Sequence, residues 1–516
     1  MYGPLRWKRG RLGRQSASSL LALAWVAAAA QVPDAAETDG RPFRLVPTLA
    51  FGLTATDNVN LTATDKRSDL IAQISPGFQL SGQSVRFKGF ANYVLTGSFY
   101  ARQEESNTFY NTLNAALKAE VVDDRMFVDL DARITPQNIS PFGTQSADPS
   151  LNNSNQTEVS TIGIAPYLQG QIAGEFNYLA RAFYTYTNSG TTQASDSAVW
   201  GGLVRFDSTT RWAKLGWAVD LSYREANFSE GRSTYDQLNL VSLTYALTPA
   251  LKVSLRGNVE TSNLVSLERE TTSGVGAGLR WDPSPRTKLF LEYDQRAFGS
   301  SHLYSLEYRT PRTLWVASSR RSLSVGQYNS GRGSAGSPFD MLFTQFATVE
   351  PDPVKREQVV NSFMQANGIK ADEPLNSNFL PSQVQLEDRN ELSASLLGIR
   401  STVVFSVYQT KTQNVGPVPN SGSAVSGDDE ITWFGGGLSW SHRLTPLSTV
   451  TVNGSGQRTT GSTSTEETTL WTGTATWSYQ LAERTTLSAT VRRTVFSSTS
   501  SPYNESALLA ALSMQF

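Results

Sequence analysis

Two pairs of carboxylates, Asp129 with Asp131 in MFVDLDARI and Glu292 with Asp294 in TKLFLEYDQRA, stand two residues apart. On a β-strand that spacing puts both members of a pair on one face, where they could divide general acid and base work or hold a cation. Each pair is followed two positions on by an arginine, Arg133 and Arg296. The same face therefore carries its own counter-charge, and a charge-balanced wall is the simpler reading. Other reactive groups are few. There are two histidines, His302 and His442, and no cysteine, so neither a disulfide nor a thiolate metal site can form. No GxSxG, HExxH or Walker sequence occurs. These residues point away from an enzyme and imply no cofactor and no metal; a hydrolase would need a Ser, a His and an acid to converge from distant segments.

The charged faces belong to a wider alternation. In WAKLGWAVDLSYR, Leu215, Trp217, Val219, Leu221 and Tyr223 alternate with a polar set that includes Lys214, Asp220 and Arg224. In LKVSLRGNVE, Leu251, Val253, Leu255 and Val259 oppose Lys252 and Arg256, and in TKLFLEYDQRA the polar face holds Lys288, Glu292, Asp294 and Arg296. Period-two alternation predicts strands. Their length of about 10 to 14 residues suits a tilted span of a bilayer better than an ordinary soluble strand of 5 or 6. A lipid-facing exterior and a wet interior explain both faces. Asp129, Asp131, Arg133, Lys214, Asp220, Arg224, Lys252, Arg256, Lys288, Glu292, Asp294 and Arg296 are then candidate lumen residues.

Connections alternate too. Tight turns such as VDDR, LTPAL, DPSPR, LTPL and LAER are separated by long polar loops, among them 57–67, 137–155 and 416–429. Short turns at one end and long loops at the other predict an all-β, antiparallel transmembrane barrel of about 22 strands, within a range of 20 to 24. The chain ends on SALLAALSMQF, in which Leu508, Ala510, Leu512, Met514 and Phe516 share one face. A closed barrel needs such a last strand to pair with the first, and a terminal Phe516 resembles the assembly signal of outer-membrane proteins. Outer-membrane lipid and the barrel assembly machinery are the partners this implies.

At the other end, five cations from Arg6 to Arg14 precede an apolar run that closes on Ala28-Ala29-Ala30, the layout of a secretory signal over residues 1–30. Residues 31–42 would then be a periplasmic segment and 43–516 the barrel. Without those five, the 44 Lys and Arg fall to 39 against 45 Asp and Glu, a mildly acidic balance that argues against nucleic acid as a partner. One segment, 327–382, breaks the β pattern. Its DPVKREQVVNSFMQANG reads as a helix, with Asp352 as cap, Pro353 in the first turn and Asn367-Gly368 at the end. Val359, Val360, Phe363 and Met364 form its apolar face, a candidate constriction of the lumen.

TATDNVNLT after the first strand, SDLIAQISPGFQLSG as the second, SPFG at Ser140 to Gly143 and DPVKREQVVNSFMQANG together resemble an uncharacterised outer-membrane barrel family associated with PEP-CTERM and exosortase loci of Gram-negative bacteria. The resemblance spans almost the whole mature chain. It implies exopolysaccharide export across the outer membrane, with a periplasmic export protein as partner, and it brings no catalytic residues. A diffusion porin is the alternative expectation and an outer-membrane hydrolase the third. A TonB-dependent receptor would share the strand number, but the stretch before Arg44 is short for a plug domain.

Overall fold

The computed structural model describes residues 43–516 apart from 104–105, 192–193, 209–213, 230, 325–345, 347–349, 351, 353–355, 358, 362–383, 417–429 and 463–466. The signal layout, the segment to residue 42, and Phe363 and Met364 lie outside the described residues. The strands are β1 (Phe43–Thr56), β2 (Asp69–Gln83), β3 (Phe87–Tyr100), β4 (Thr108–Val122), β5 (Met126–Asn138), β6 (Gln156–Ile172), β7 (Phe176–Asn188), β8 (Ser197–Ser208), β9 (Leu215–Phe228), β10 (Thr234–Ala246) and β11 (Leu251–Ser262). There follow β12 (Glu270–Ser284), β13 (Thr287–Arg296), β14 (Gly299–Arg309), β15 (Thr313–Ser324), β16 (Gln385–Leu397), β17 (Ser401–Asn414), β18 (Glu430–Thr445), β19 (Ser448–Thr460), β20 (Glu467–Ala482), β21 (Thr485–Ser498) and β22 (Tyr503–Gln515).

Each strand pairs antiparallel with its sequence neighbour, and β1 pairs with β22, so the 22-stranded sheet is closed. The seam runs from Thr48 opposite Gln515 to Thr56 opposite Ala507, and the Phe516 N–H donates to the Pro47 carbonyl at 3.0 Å. Closure satisfies every strand edge, which a bilayer demands because no water is there to bond a free edge. Leu508 and Phe516 face out and are exposed, as are Leu255 and Val275 elsewhere on the ring; this is the apolar belt that lipid covers.

Short turns gather at the end where β1 begins, which is the periplasmic side, and most long loops at the other. The alternation has one exception: β13 and β14 are joined at the long-loop end by Ala297 and Phe298 alone, and His302 lies within β14. At the outer mouth the long loops fold over one another. Val59, Leu61, Ile71, Tyr100, Leu151, Phe496 and Tyr503 form one small core there, and Val199, Phe228, Leu264, Leu323 and Val384 belong to another.

Candidate functional site

The lumen wall divides into two sectors of different chemistry. On β5 to β16 the inward positions carry an ionic ladder. Arg256 on β11 reaches across β12 to Glu292 at 2.5 Å and Asp294 at 2.8 Å on β13. It can do so because Gly276 lies between Arg256 and Asp294 in register, and a Cβ at Gly276 would collide with the Asp294 carboxylate. Arg296 bonds Glu260 at 2.6 Å and approaches Asp236 at 3.8 Å, and Arg224 meets the same Asp236 at 3.1 Å. Arg205 stands 3.4 Å from Asp220, and Asp129 is 2.8 Å from Arg181. Asp131 and Arg133 share the inward face of β5; Gly163 opposite leaves room for Asp131, since a Cβ there would stand 2.6 Å from its Oδ1.

The remaining sequence candidates sit toward the periplasmic rim. Lys214 precedes β9 in an exposed turn, Lys252 is the second residue of β11, and Lys288 pairs with Glu307 at 3.3 Å. None of these groups is gathered into an acid–base centre. Each histidine meets one serine, His302 with Ser319 and His442 with Ser401, both at 2.8 Å. Both imidazoles lie on the lipid-facing side of their strands, and among the described residues no carboxylate is bonded to either. A third, orienting group is what a hydrolase would need.

The second sector, β17 to β22, is lined by hydroxyls and amides. Tyr408 donates to Gln457 at 2.6 Å, Asn453 to Thr474 at 3.2 Å, and the Thr476 and Thr490 hydroxyls share a bond of 2.9 Å. Among the described inward residues here the charged ones are Arg443 at the periplasmic end and Arg492 with Glu505 near the outer mouth.

Two segments enter the lumen. The loop between β5 and β6 was legible in the sequence only as a long loop. It reaches over the mouth to β21 and β22, about a quarter of the way round the ring, and at Phe142 to β17 and β18, nearly half-way round. Asp148 in this loop bonds Arg492 at 2.6 Å, and Arg492 bonds Glu505 at 2.9 Å; all three are buried. Tyr503 donates to the Gln145 carbonyl at 2.5 Å, Tyr100 to the Ser150 carbonyl, and Phe142 packs on Tyr408, Ile431 and Trp433. The second segment is the insert after β15. Arg356, Glu357, Val359, Val360 and Asn361 are helical, and the Arg356 N–H donates to the Asp352 carbonyl at 2.8 Å. Asn92 on β3 donates to Glu357 at 3.0 Å and Lys88 approaches Asp352 at 3.8 Å. Because β3 is about half-way round the ring from β15 and Lys88 lies near its periplasmic end, Asp352 and Glu357 stand inside the lumen against the far wall, well below the outer mouth. Val360 is fully buried and Val359 half-buried. Burial pushes the Glu357 carboxyl up to about 7, against the Asn92 bond, which lowers it.

A closed antiparallel barrel with an apolar belt, a polar lumen and chain folded into that lumen is an outer-membrane β-barrel, and its place is the bacterial outer membrane. No family model matches the chain and no curated protein does. Solved structures similar to it include the FrpB iron transporter of Neisseria meningitidis, at 9% identity and a TM-score of 0.48, with 92% of this chain and 81% of that one covered. The siderophore receptor PirA of Pseudomonas aeruginosa is 9% identical with a TM-score of 0.41, over 92% and 80%. OpdK of Pseudomonas aeruginosa, solved with vanillate, is 8% identical with a TM-score of 0.33, over 92% and 99%. No residue role passes from them to this chain.

Proposed function

We propose that the barrel is a gated conduit for carbohydrate chains, serving exopolysaccharide export. The hydroxyl and amide wall of β17 to β22 carries this reading. Such groups exchange hydrogen bonds with sugar hydroxyls at a net of only about 0.5 to 1.5 kcal/mol each, so a chain is held along its length and still slides. The ionic ladder opposite is matched within itself, leaving little free charge to trap a passing solute. The resemblance in TATDNVNLT, SPFG and the insert supports export as the direction, with a periplasmic export protein feeding the short-turn rim. The insert acts as a constriction: removing residues 337–368 raises conductance in planar bilayers and alters the amount of polymer that cells secrete. Unchanged secretion in cells lacking the whole chain overturns the export reading. A solute-specific diffusion porin is the second reading, favoured by the inward fold of the β5–β6 loop; it predicts solute uptake that does not depend on polymer secretion.

A further inference from the structure

We infer that the outer end of the closure seam carries a lipid-facing site for lipid A, the phosphorylated and acylated glucosamine of the outer leaflet. Arg493 and Lys66 take its phosphate, and an apolar groove running from β19 to β2 takes its acyl chains. The site lies on the outside of the wall and does not depend on what passes through the lumen.

Arg493 points outward from β21, in register with Ser506 on β22 and Gly473 on β20. Its guanidinium is exposed and donates to the Ser506 hydroxyl at 2.5 Å. Lys66, exposed in the loop after β1, reaches the same face and donates to Asn504, two residues before Ser506. Among the described residues neither cation is paired with a carboxylate. Two acids are near: Asp57 accepts the Ser506 N–H at 2.7 Å, and Asp65 adjoins Lys66 in the loop. A cation on the outer face is costly in hydrocarbon and cheap at the headgroups, and Arg493 stands at that boundary. Below it the outward residues of β21, β22 and β1 are apolar down to Leu487, Met514 and Leu49. Above it come Asn504, Ser497 and Glu467, with Trp471 at the transition, where aromatic side chains mark the interface. Directly beneath Arg493 a groove of about 540 Å³ opens on the lipid-facing surface, within the range of about 300 to 1,000 Å³ that ligand sites occupy. Leu53, Leu70, Trp477 and Leu508 wall it, and the short side chains of Ala489 and Ala510 keep its floor low. A guanidinium fork suits a phosphate and a lysine adds a point charge beside it. Two cations over an apolar groove complement an anion joined to acyl chains, and in the outer leaflet that molecule is lipid A. Its chains would straddle the seam where β1 meets β22.

The test is native mass spectrometry of the full-length barrel released from detergent, after titration with three probes: bisphosphorylated lipid A, the same lipid A stripped of its phosphates, and phosphatidylglycerol. We expect a single copy of the phosphorylated form to be retained, at least about tenfold more tightly than either of the others, the order of one hydrogen bond to a charged group. The double variant Arg493→Gln with Lys66→Gln should lower that retention about tenfold or more, while Arg493→Lys keeps part of it. Ala489→Trp fills the groove from the lipid side and should weaken both forms of lipid A. Lys411→Gln is the control that leaves binding within error: Lys411 faces lipid on β17, four strands from Arg493, and is held by Glu430 at 2.7 Å. Because a ligand of the folded state stabilises it, phosphorylated lipid A should also raise the temperature at which the folded band is lost in unboiled gels, and the double variant should gain nothing. Equal retention of the phosphorylated and stripped forms overturns the inference. So does retention that ignores the Arg493 and Lys66 change, an equal loss in Lys411→Gln, or full binding to Ala489→Trp. Phosphatidylglycerol held as tightly as lipid A overturns the assignment to lipid A.

Discussion

Glu357 is a carboxyl placed where charge is costly. It sits buried on the insert, with Asn92 from β3 and Asn361 from its own helix as polar partners, while the nearby Lys88 is directed to Asp352. Its value of about 7 in the docked state lies above the ordinary 4.5. A raised acid favours docking when protonated: the support is complete below the ordinary value and is lost as pH rises through about 7. Inside that window each pH unit can shift the docking equilibrium by up to about tenfold. Amide protection in the 350–361 region, after division by the base-catalysed intrinsic exchange rate at each pH, should therefore be higher at about pH 6 than at about pH 8, and Glu357→Gln should flatten the difference. The same pH slope in the variant would assign the effect to another group.

Among the described residues, the β5–β6 loop lies over the outer mouth and is tied there by distant contacts. Its anchors are carbonyls accepting from Tyr503 on β22 and Tyr100 on β3, the Phe142 contact with the Tyr408, Ile431 and Trp433 cluster, and the buried Asp148–Arg492–Glu505 triad, to which Thr56 on β1 adds a bond at 2.9 Å to Glu505. Arg492→Gln leaves two carboxylates facing each other with no cation, a loss on the order of 3 to 5 kcal/mol for a buried pair that loses one partner. The loop, with less packing than the wall, should yield first. We expect protease added outside intact cells to cut within 139–155, and single-channel conductance to rise, while the barrel still assembles; Arg492→Lys should keep part of the protection. A loop equally protected in Arg492→Gln would show that the apolar contacts alone hold it.

At the scale of the whole molecule, stability comes from ring closure, and the ring closes on the last residues of the chain. Phe516 has its ring on the lipid side and its N–H on Pro47. Phe516→Asp puts a charge on the outer face near the periplasmic rim, where the direct cost is about 1 kcal/mol or less, against about 2 to 4 kcal/mol for a cation at the midplane. The larger effect should be on assembly: less folded barrel in the outer membrane, read as a weaker heat-modifiable band in unboiled samples. Normal levels of the folded band would show that the terminal aromatic is dispensable.

The alternation of side chains determined much of this architecture without help from the tertiary structure. A face such as Leu251, Val253, Leu255 against Lys252, Ser254, Arg256 suits lipid on one side and water on the other, and counting such segments gave 20 to 24 strands, of which the closed ring has 22. Inward placement of Asp129, Asp220, Arg256 and Asp294 followed from parity alone. The partner of each charge did not, because Arg256 finds Asp294 across an intervening strand, and only the register that brings Gly276 between them permits that reach. The gathering of hydroxyls on β17 to β22 was written in the Thr and Ser of that region, yet it becomes a continuous strip only when six neighbouring strands align their inward faces. The fate of the long loops was hidden for a different reason. A polar loop looks alike whether it stands in solvent or turns inward, and what draws residues 139–155 across the mouth is Arg492, more than three hundred residues away in sequence. Periodicity is a local property and survives in the chain itself; closure of the mouth depends on contacts between distant residues, which only the folded barrel brings together.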